Sequence, residues 1–216
     1  LVNKQNFARD DVEILEQKPL YSGFFKLLKV KLRHRLFNGG WSREFTRELF
    51  AKTEAASAVV YDPVLDQIGL VDQFRIGTLD SPHGPWTLES VAGMVEEGES
   101  PADMMLRELE EEAGLQAKRL LPITSFYPTP GSCNEYTHVY CAICDLAAAG
   151  GVFGVEGENE DILFKAYPAS EVFDAMLQSR LNNAATLIGL LWLQQQRPQL
   201  RAAWPNWVGA DAGGVP

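Results

Sequence analysis

Three glutamates, Glu108, Glu111 and Glu112, stand at i, i+3 and i+4 in the run RELEEEAG that begins at Arg107. On a helix that spacing puts three carboxylates to one side. Like charges so close repel unless something positive sits among them, and an all-oxygen donor set suits a hard divalent cation, Mg²⁺ first. Such an ion can draw charge off an anionic group and orient or acidify a water. The carbonyl of Ala92, just ahead of Gly93, can add a backbone oxygen. Arg107 cannot ligate a cation. Its expected part is to pair with a carboxylate such as Glu99 and orient the cluster. A water activated by such an ion would need a base, and Glu158 and Glu160 lie on a late, glycine-flanked loop that could close over a bound ligand. Taken singly, these features have plain explanations: a solvated helix face and ordinary loop acids.

The acidic run needs a helix to present it, and the flanking residues supply one. Ser100 is a cap, Pro101 suits the first helical position, and Asp103 adds negative charge to the first turn. Gly114 stops the helix after about twelve residues, because glycine takes positive φ freely. Met105, Leu106, Leu109 and Ala113 form the stripe expected to face a core. Residues 93–98 read as a short loop leading in, where glycine permits close backbone approach.

Gly93, Glu99, Arg107, Glu108, Leu109, Glu111, Glu112, Gly114 and Leu115 together fill the pattern G-x5-E-x7-R-E-L-x-E-E-x-G-L without a gap. This stretch resembles the signature box of the Nudix hydrolases, which cleave nucleoside diphosphates linked to another moiety. The likeness covers about residues 11–200. GFF at 23–25, RHRLFNG at 33–39, DQFR at 72–75, Pro130-Gly131 ahead of Glu135, ENEDI at 158–162 and NNAATLIGLLWLQ near the end are similar to the bacterial ADP-ribose pyrophosphatase subgroup. The resemblance implies an α/β/α sandwich with a mixed sheet and hydrolysis of ADP-ribose to AMP and ribose 5-phosphate. It also implies two or three Mg²⁺ per site, replaceable by Mn²⁺, and a homodimer whose N-terminal strands are exchanged. By position, Glu158 would be the base and Glu160 a metal ligand beside Ala92, Glu108, Glu111 and Glu112; the loop also permits the reverse. Arg75 would contact the diphosphate, Arg47 would do so from the second subunit, Phe24 would stack on adenine across the dimer, and Glu135 would receive terminal-ribose hydroxyls. Ser132, where relatives often have glycine, and His83 depart from the pattern and bear on the distal sugar. A preference for other ADP-sugars or a dinucleotide is therefore the alternative reaction. A catalytically idle nucleotide-binding module is a further one, against which all box glutamates are retained.

The chain has 216 residues and a formal net charge of -10, which argues against nucleic acid or an anionic membrane as a general partner. Substrate phosphates must then be attracted locally, by metal and arginine. Cys133, Cys141 and Cys144 do not suggest a disulfide scaffold, and Cys141 and Cys144, which have metal-site spacing but no second pair, read as buried free thiols in a strand. His34, His83 and His138 share no ligand spacing. The most apolar window, 184–193, is too short to span a bilayer, no signal peptide is read, and the cytoplasm is the expected location.

Three regions are expected: 1–53, an N-terminal strand region for dimerisation and a substrate wall; 54–200, the hydrolase domain; and 201–216, a C-terminal tail. Alternation places strands at 56–61, 67–74, 86–90, 118–127, 135–146 and 162–167, and helices at 170–178 and 182–195. Lys26, Lys29, Lys31, Arg33 and Arg35 make the first region the basic part of an acidic chain. Its strands have too little core to stand alone.

Overall fold

A computed structural model describes residues 6–155, 157 and 159–207, with side chains to residue 204. Two compact units emerge: one of Leu1–Thr53 with Tyr127–Glu135, the other of Glu54–Phe126 with Tyr136 onward. The segment Tyr127–Glu135, expected within the hydrolase domain, thus clusters with the N-terminal strands.

In the smaller unit, β1 (Val12–Ser22), β2 (Lys26–His34) and β3 (Phe45–Ala51) form an antiparallel sheet in that order. Phe24 and Phe25 lie in the bend between β1 and β2, where Gly23 N–H bonds the carbonyl of Phe25 at 3.0 Å. Tyr127–Glu135 joins this unit along β3: Phe50 N–H donates to Ser132 O at 2.8 Å and Lys52 N–H to Asn134 Oδ1 at 2.8 Å. Register places Ile14, Leu32 and Phe45 in one row and Pro19, Leu28 and Leu49 in another on the same face, yet of the strand residues only Val30 is buried.

The larger unit is built on an eight-stranded sheet: β4 (Ala55–Asp62), β5 (Gln67–Phe74), β6 (Trp86–Glu89), β7 (Val91–Met94), β8 (Arg119–Phe126), β9 (Thr137–Ile143), β10 (Gly150–Phe153) and β11 (Ile162–Pro168). The main path runs β10-β11-β5-β4-β9-β8, with β4 and β9 parallel and the other pairs antiparallel, so the sheet is mixed. No strand was expected between 146 and 162, where β10 forms; its glycine-rich run carries little side-chain pattern.

The β4–β5 hairpin pairs only near its turn, at Val60–Asp62 against Gln67–Gly69. Asp62 holds that turn by accepting N–H bonds from Val64 (2.8 Å), Leu65 (3.0 Å) and Leu146 (2.9 Å). Beyond it the strands diverge, β6 pairing with β5 and β7 with β4. Ser90 is the joint, its hydroxyl 2.6 Å from Ser57 Oγ and 3.0 Å from Thr186 Oγ1.

Period-2 alternation in β4 sends Ala58 and Val60 to one face and Val59 and Tyr61 to the other. The first face packs on α1 (Pro101–Ala113) through Met104, Met105, Leu109 and Ala113; the second packs on α2 (Ala169–Leu177) and α3 (Ala184–Trp207) through Val172, Phe173, Leu190 and Leu193. This is the expected α/β/α sandwich. Cys141 and Cys144 are free and buried in opposite layers, and burial pushes the Cys144 thiol up to about 12.

Helix α3 runs past its expected end at 195 and through Pro198, into the region read as a tail. Proline removes one intrahelical donor there. Tertiary contacts compensate: Arg197 Nε (2.7 Å) and Arg201 Nη1 (2.8 Å) both reach Asp66, while Leu200 and Trp204 are buried. Among the described residues no helix is long and apolar enough to cross a membrane.

Candidate active site

The local code for α1 is realised in detail. Ser100 Oγ accepts the Asp103 N–H at 3.1 Å, Pro101 is the first residue, and Gly114 terminates at φ 64° with its N–H on Glu110 O at 3.0 Å. One correction concerns the buried stripe, where Met104 replaces the expected Leu106, which is exposed. The helix turns slightly so that Glu112, flanked by Leu109 and Ala113, goes under with them, 3% exposed.

That rotation decides the state of the carboxylates. Glu112 accepts the Ala92 N–H at 3.2 Å, and burial, then the Glu108 charge, push its carboxyl up to about 8. Burial likewise lifts Glu108 to about 7, with the Glu111 and Glu160 charges adding and Arg107 opposing. Glu160 therefore stands near enough to be felt by both box residues. It is also tied to its own loop, its Oε2 accepting the Val155 N–H at 3.4 Å. Gly93 closes the cluster, since a Cβ at that position would overlap the Glu108 carboxylate.

Arg107 makes more bonds than the single expected pairing. Its Nε and Nη2 fork onto Glu99 at 3.2 and 3.3 Å, while Nη1 reaches Glu108 at 3.0 Å and Glu111 at 2.8 Å. The Arg107 hydrogen bond holds Glu99 below the usual carboxylate range. Arginine is thus the positive group among the acids. Among the described residues, Glu108, Glu111 and Glu112 do not stand as a ready-made cage of three acidic ligands, because Glu111 turns outward to Arg107. The donor set nevertheless fits a hard divalent ion. Burial raises the proton affinity of Glu108 and Glu112, and the Glu108 charge raises that of Glu112 further, which is the electrostatic imbalance that a cation relieves.

Arg75 lies in the same unit, and its charge lowers the Glu112 carboxyl against the burial effect. Its Nε and Nη2 donate to the Glu89 carboxylate at 3.1 and 3.2 Å. Glu89, Thr87 and Asn183 were not singled out from the sequence. A lone acid in the short strand WTLE was the available signal, and Asn183 ahead of α3 is a helix cap.

Phe24, Arg47 and Glu135 belong to the smaller unit. Phe24 is 82% exposed and edge-on to Phe25 at 4.8 Å. Arg47 lies over the Phe45 ring at 4.6 Å. The Glu135 carboxylate is paired with the Lys52 ammonium, and both side chains are largely buried. Glu158, the expected base, lies outside the described residues. His138, without ligand spacing in the sequence, bridges Glu54 (2.8 Å) and Ser125 (3.0 Å).

Comparison with known proteins agrees with this geometry. The NUDIX domain matches residues 51–186, and the chain belongs to that family. It is 42% identical over 203 residues to the ADP-ribose pyrophosphatase of Haemophilus influenzae, covering 93% of this chain and 94% of that protein. It is 41% identical over 198 residues to the ADP-ribose pyrophosphatase of Escherichia coli K12, covering 92% and 95%. A crystal structure of an ADP compounds hydrolase superposes with a TM-score of 0.68 at 23% identity, covering 88% of this chain and 97% of that one, which bears on the fold alone.

Proposed function

We propose that this protein hydrolyses the diphosphate of ADP-ribose to AMP and ribose 5-phosphate, with Mg²⁺ as cofactor. The observation that carries this reading is the pair of Glu108, half-buried beside Gly93, and Glu112, buried on the Ala92 N–H, with carboxyls lifted to about 7 and about 8. Near-complete coverage of the ADP-ribose pyrophosphatases at 41–42% identity supports the substrate.

Glu108, Glu111, Glu112, the Ala92 carbonyl and Glu160 hold two or three divalent ions, with Mn²⁺ able to replace Mg²⁺. When bound, such ions would withdraw charge from the diphosphate and make water a better nucleophile. Glu158 takes the proton of that water as its oxygen bonds to phosphorus, and the bridging P–O bond breaks to release the two monophosphates. Arg107 keeps Glu99, Glu108 and Glu111 in register. Arg75 binds the diphosphate from the same chain. Arg47 and Phe24, supplied by a second copy with exchanged strands, meet the diphosphate and the adenine, and Glu135 receives terminal-ribose hydroxyls. The apolar face of the small sheet, with Val30 as its one buried strand residue, supports such a second copy. Free thiols at Cys133, Cys141 and Cys144 agree with a reducing cytoplasm.

The test is AMP release from ADP-ribose, ADP-glucose and a dinucleotide by the Mg²⁺-loaded protein, with sedimentation for the dimer. ADP-ribose should be the fastest of the three. No AMP from any of them would sink the reaction, and a faster ADP-glucose would shift the substrate. Glu158→Gln should cut turnover while keeping metal affinity. If Glu160→Gln shows that pattern instead, the two loop roles are exchanged.

A further inference from the structure

Glu89 ends β6 with 1% of its surface exposed. Four donors converge on its carboxylate: the Thr87 hydroxyl, Asn183 Nδ2 at 2.9 Å, and Arg75 through Nε at 3.1 Å and Nη2 at 3.2 Å. Behind it the anchoring continues. Asn183 caps α3, its Oδ1 accepting the Thr186 N–H at 3.1 Å, so the direction of its amide is set by the helix start. Thr186 Oγ1 in turn accepts the Ser90 N–H at 2.9 Å, next to the joint between β6 and β7.

Stability alone does not account for a buried carboxylate here. A buried ion pair is often no better than apolar residues of the same volume, because desolvation offsets the attraction. What the arrangement does supply is direction. Arg75 is 43% exposed, a long side chain that would otherwise sample many rotamers. The fork occupies its Nε–Nη2 edge and so fixes the plane of a guanidinium whose charge reaches Glu112.

We propose that Glu89, held by Thr87 and by the α3 cap Asn183, is a positioning residue that fixes the Arg75 guanidinium for the diphosphate of the substrate. The inference rests on Arg75 being a diphosphate contact, and it makes the start of α3, on the far face of the sheet, part of the substrate-binding apparatus.

The experiment is a double-mutant cycle on ADP-ribose affinity, measured by calorimetry in EDTA so that no turnover intervenes. Arg75→Ala should weaken binding at least about tenfold, and Glu89→Gln, close in shape, by about fivefold. In the Arg75→Ala background, Glu89→Gln should change nothing further. Thr87→Val, which removes one donor without changing side-chain shape, should give a smaller loss that also vanishes in that background. Circular dichroism checks that each variant is folded; if Glu89→Gln is not, the Thr87→Val cycle decides. Equal losses with and without Arg75 would reduce Glu89 to a structural role, and an Arg75→Ala variant of unchanged affinity would overturn the inference outright. Absence of AMP release by the Mg²⁺-loaded wild type, with the cycle intact, would remove the proposed reaction and leave the positioning role standing.

Discussion

Glu89 and Glu112 are both carboxylates taken below the surface of the larger unit, at 1% and 3% exposure, yet their surroundings are opposite. Glu89 is saturated, with a hydroxyl, an amide and a guanidinium fork all donating to it. Glu112 has the Ala92 N–H at 3.2 Å and the negative charge of Glu108 nearby, and its carboxyl is lifted to about 8. The difference separates two uses of a buried acid. One has its charge compensated by the fold and can serve as an anchor. The other is arranged at the expense of stability, which is where a cation has most to offer.

The comparison can be broken in several places. The largest effect is expected from Glu112→Gln, which should lower AMP release by at least about a hundredfold. In EDTA at high pH the same variant should unfold no more easily than wild type. A clear drop in its thermal midpoint there would mean Glu112 is as structurally committed as Glu89.

Glu89→Leu should behave oppositely in stability. It leaves the Asn183 amide and the Arg75 fork without their acceptor, at a cost of about 2 kcal/mol. Denaturant unfolding of the metal-free protein measures this, and an unchanged midpoint would remove the contrast.

Next comes the pH dependence of the metal-free protein. Glu108 and Glu112 have folded-state values of about 7 and about 8, above the ordinary 4.5, so the folded chain holds protons that the unfolded chain has released. Their contribution to stability is full below the ordinary value and is lost as pH rises through the folded ones. The thermal midpoint in EDTA should therefore fall between about pH 5 and about pH 8, and excess Mg²⁺ should flatten the slope. A midpoint rising over that range would contradict the burial of the pair.

The smallest expected effect is that of Gly93→Ala. Its Cβ would push the Glu108 carboxylate aside, weakening Mg²⁺ binding about tenfold while costing about 1 kcal/mol or less in stability. Titration of Mg²⁺ by calorimetry reads the first quantity and chemical denaturation the second.

Legibility from sequence followed the range of the forces involved. The capped helix and its box were readable because Ser100, Pro101 and Gly114 act within one turn. Most strands were readable from alternation, whereas β10, built on Gly150 and Gly151, was not. The continuation of α3 through Pro198 was unreadable because Asp66, more than a hundred residues earlier, holds Arg197 and Arg201. Glu89 escaped for the same reason: its donors come from the residue that follows β5, from β6 and from the start of α3. The substrate roles proposed for Phe24, Arg47 and Glu135 came from resemblance, not from any local pattern.

By itself the sequence determined which residue types could gather a divalent ion, the helix that presents them and most of the strands around it, since spacing, capping and alternation are local properties of the chain; the mixed sandwich followed from the family resemblance. Only the tertiary structure decided which of those acids is buried, which is neutralised by Arg107 and which is saturated as an anchor. Those outcomes depend on desolvation and on partners brought from distant strands, and no local pattern encodes either.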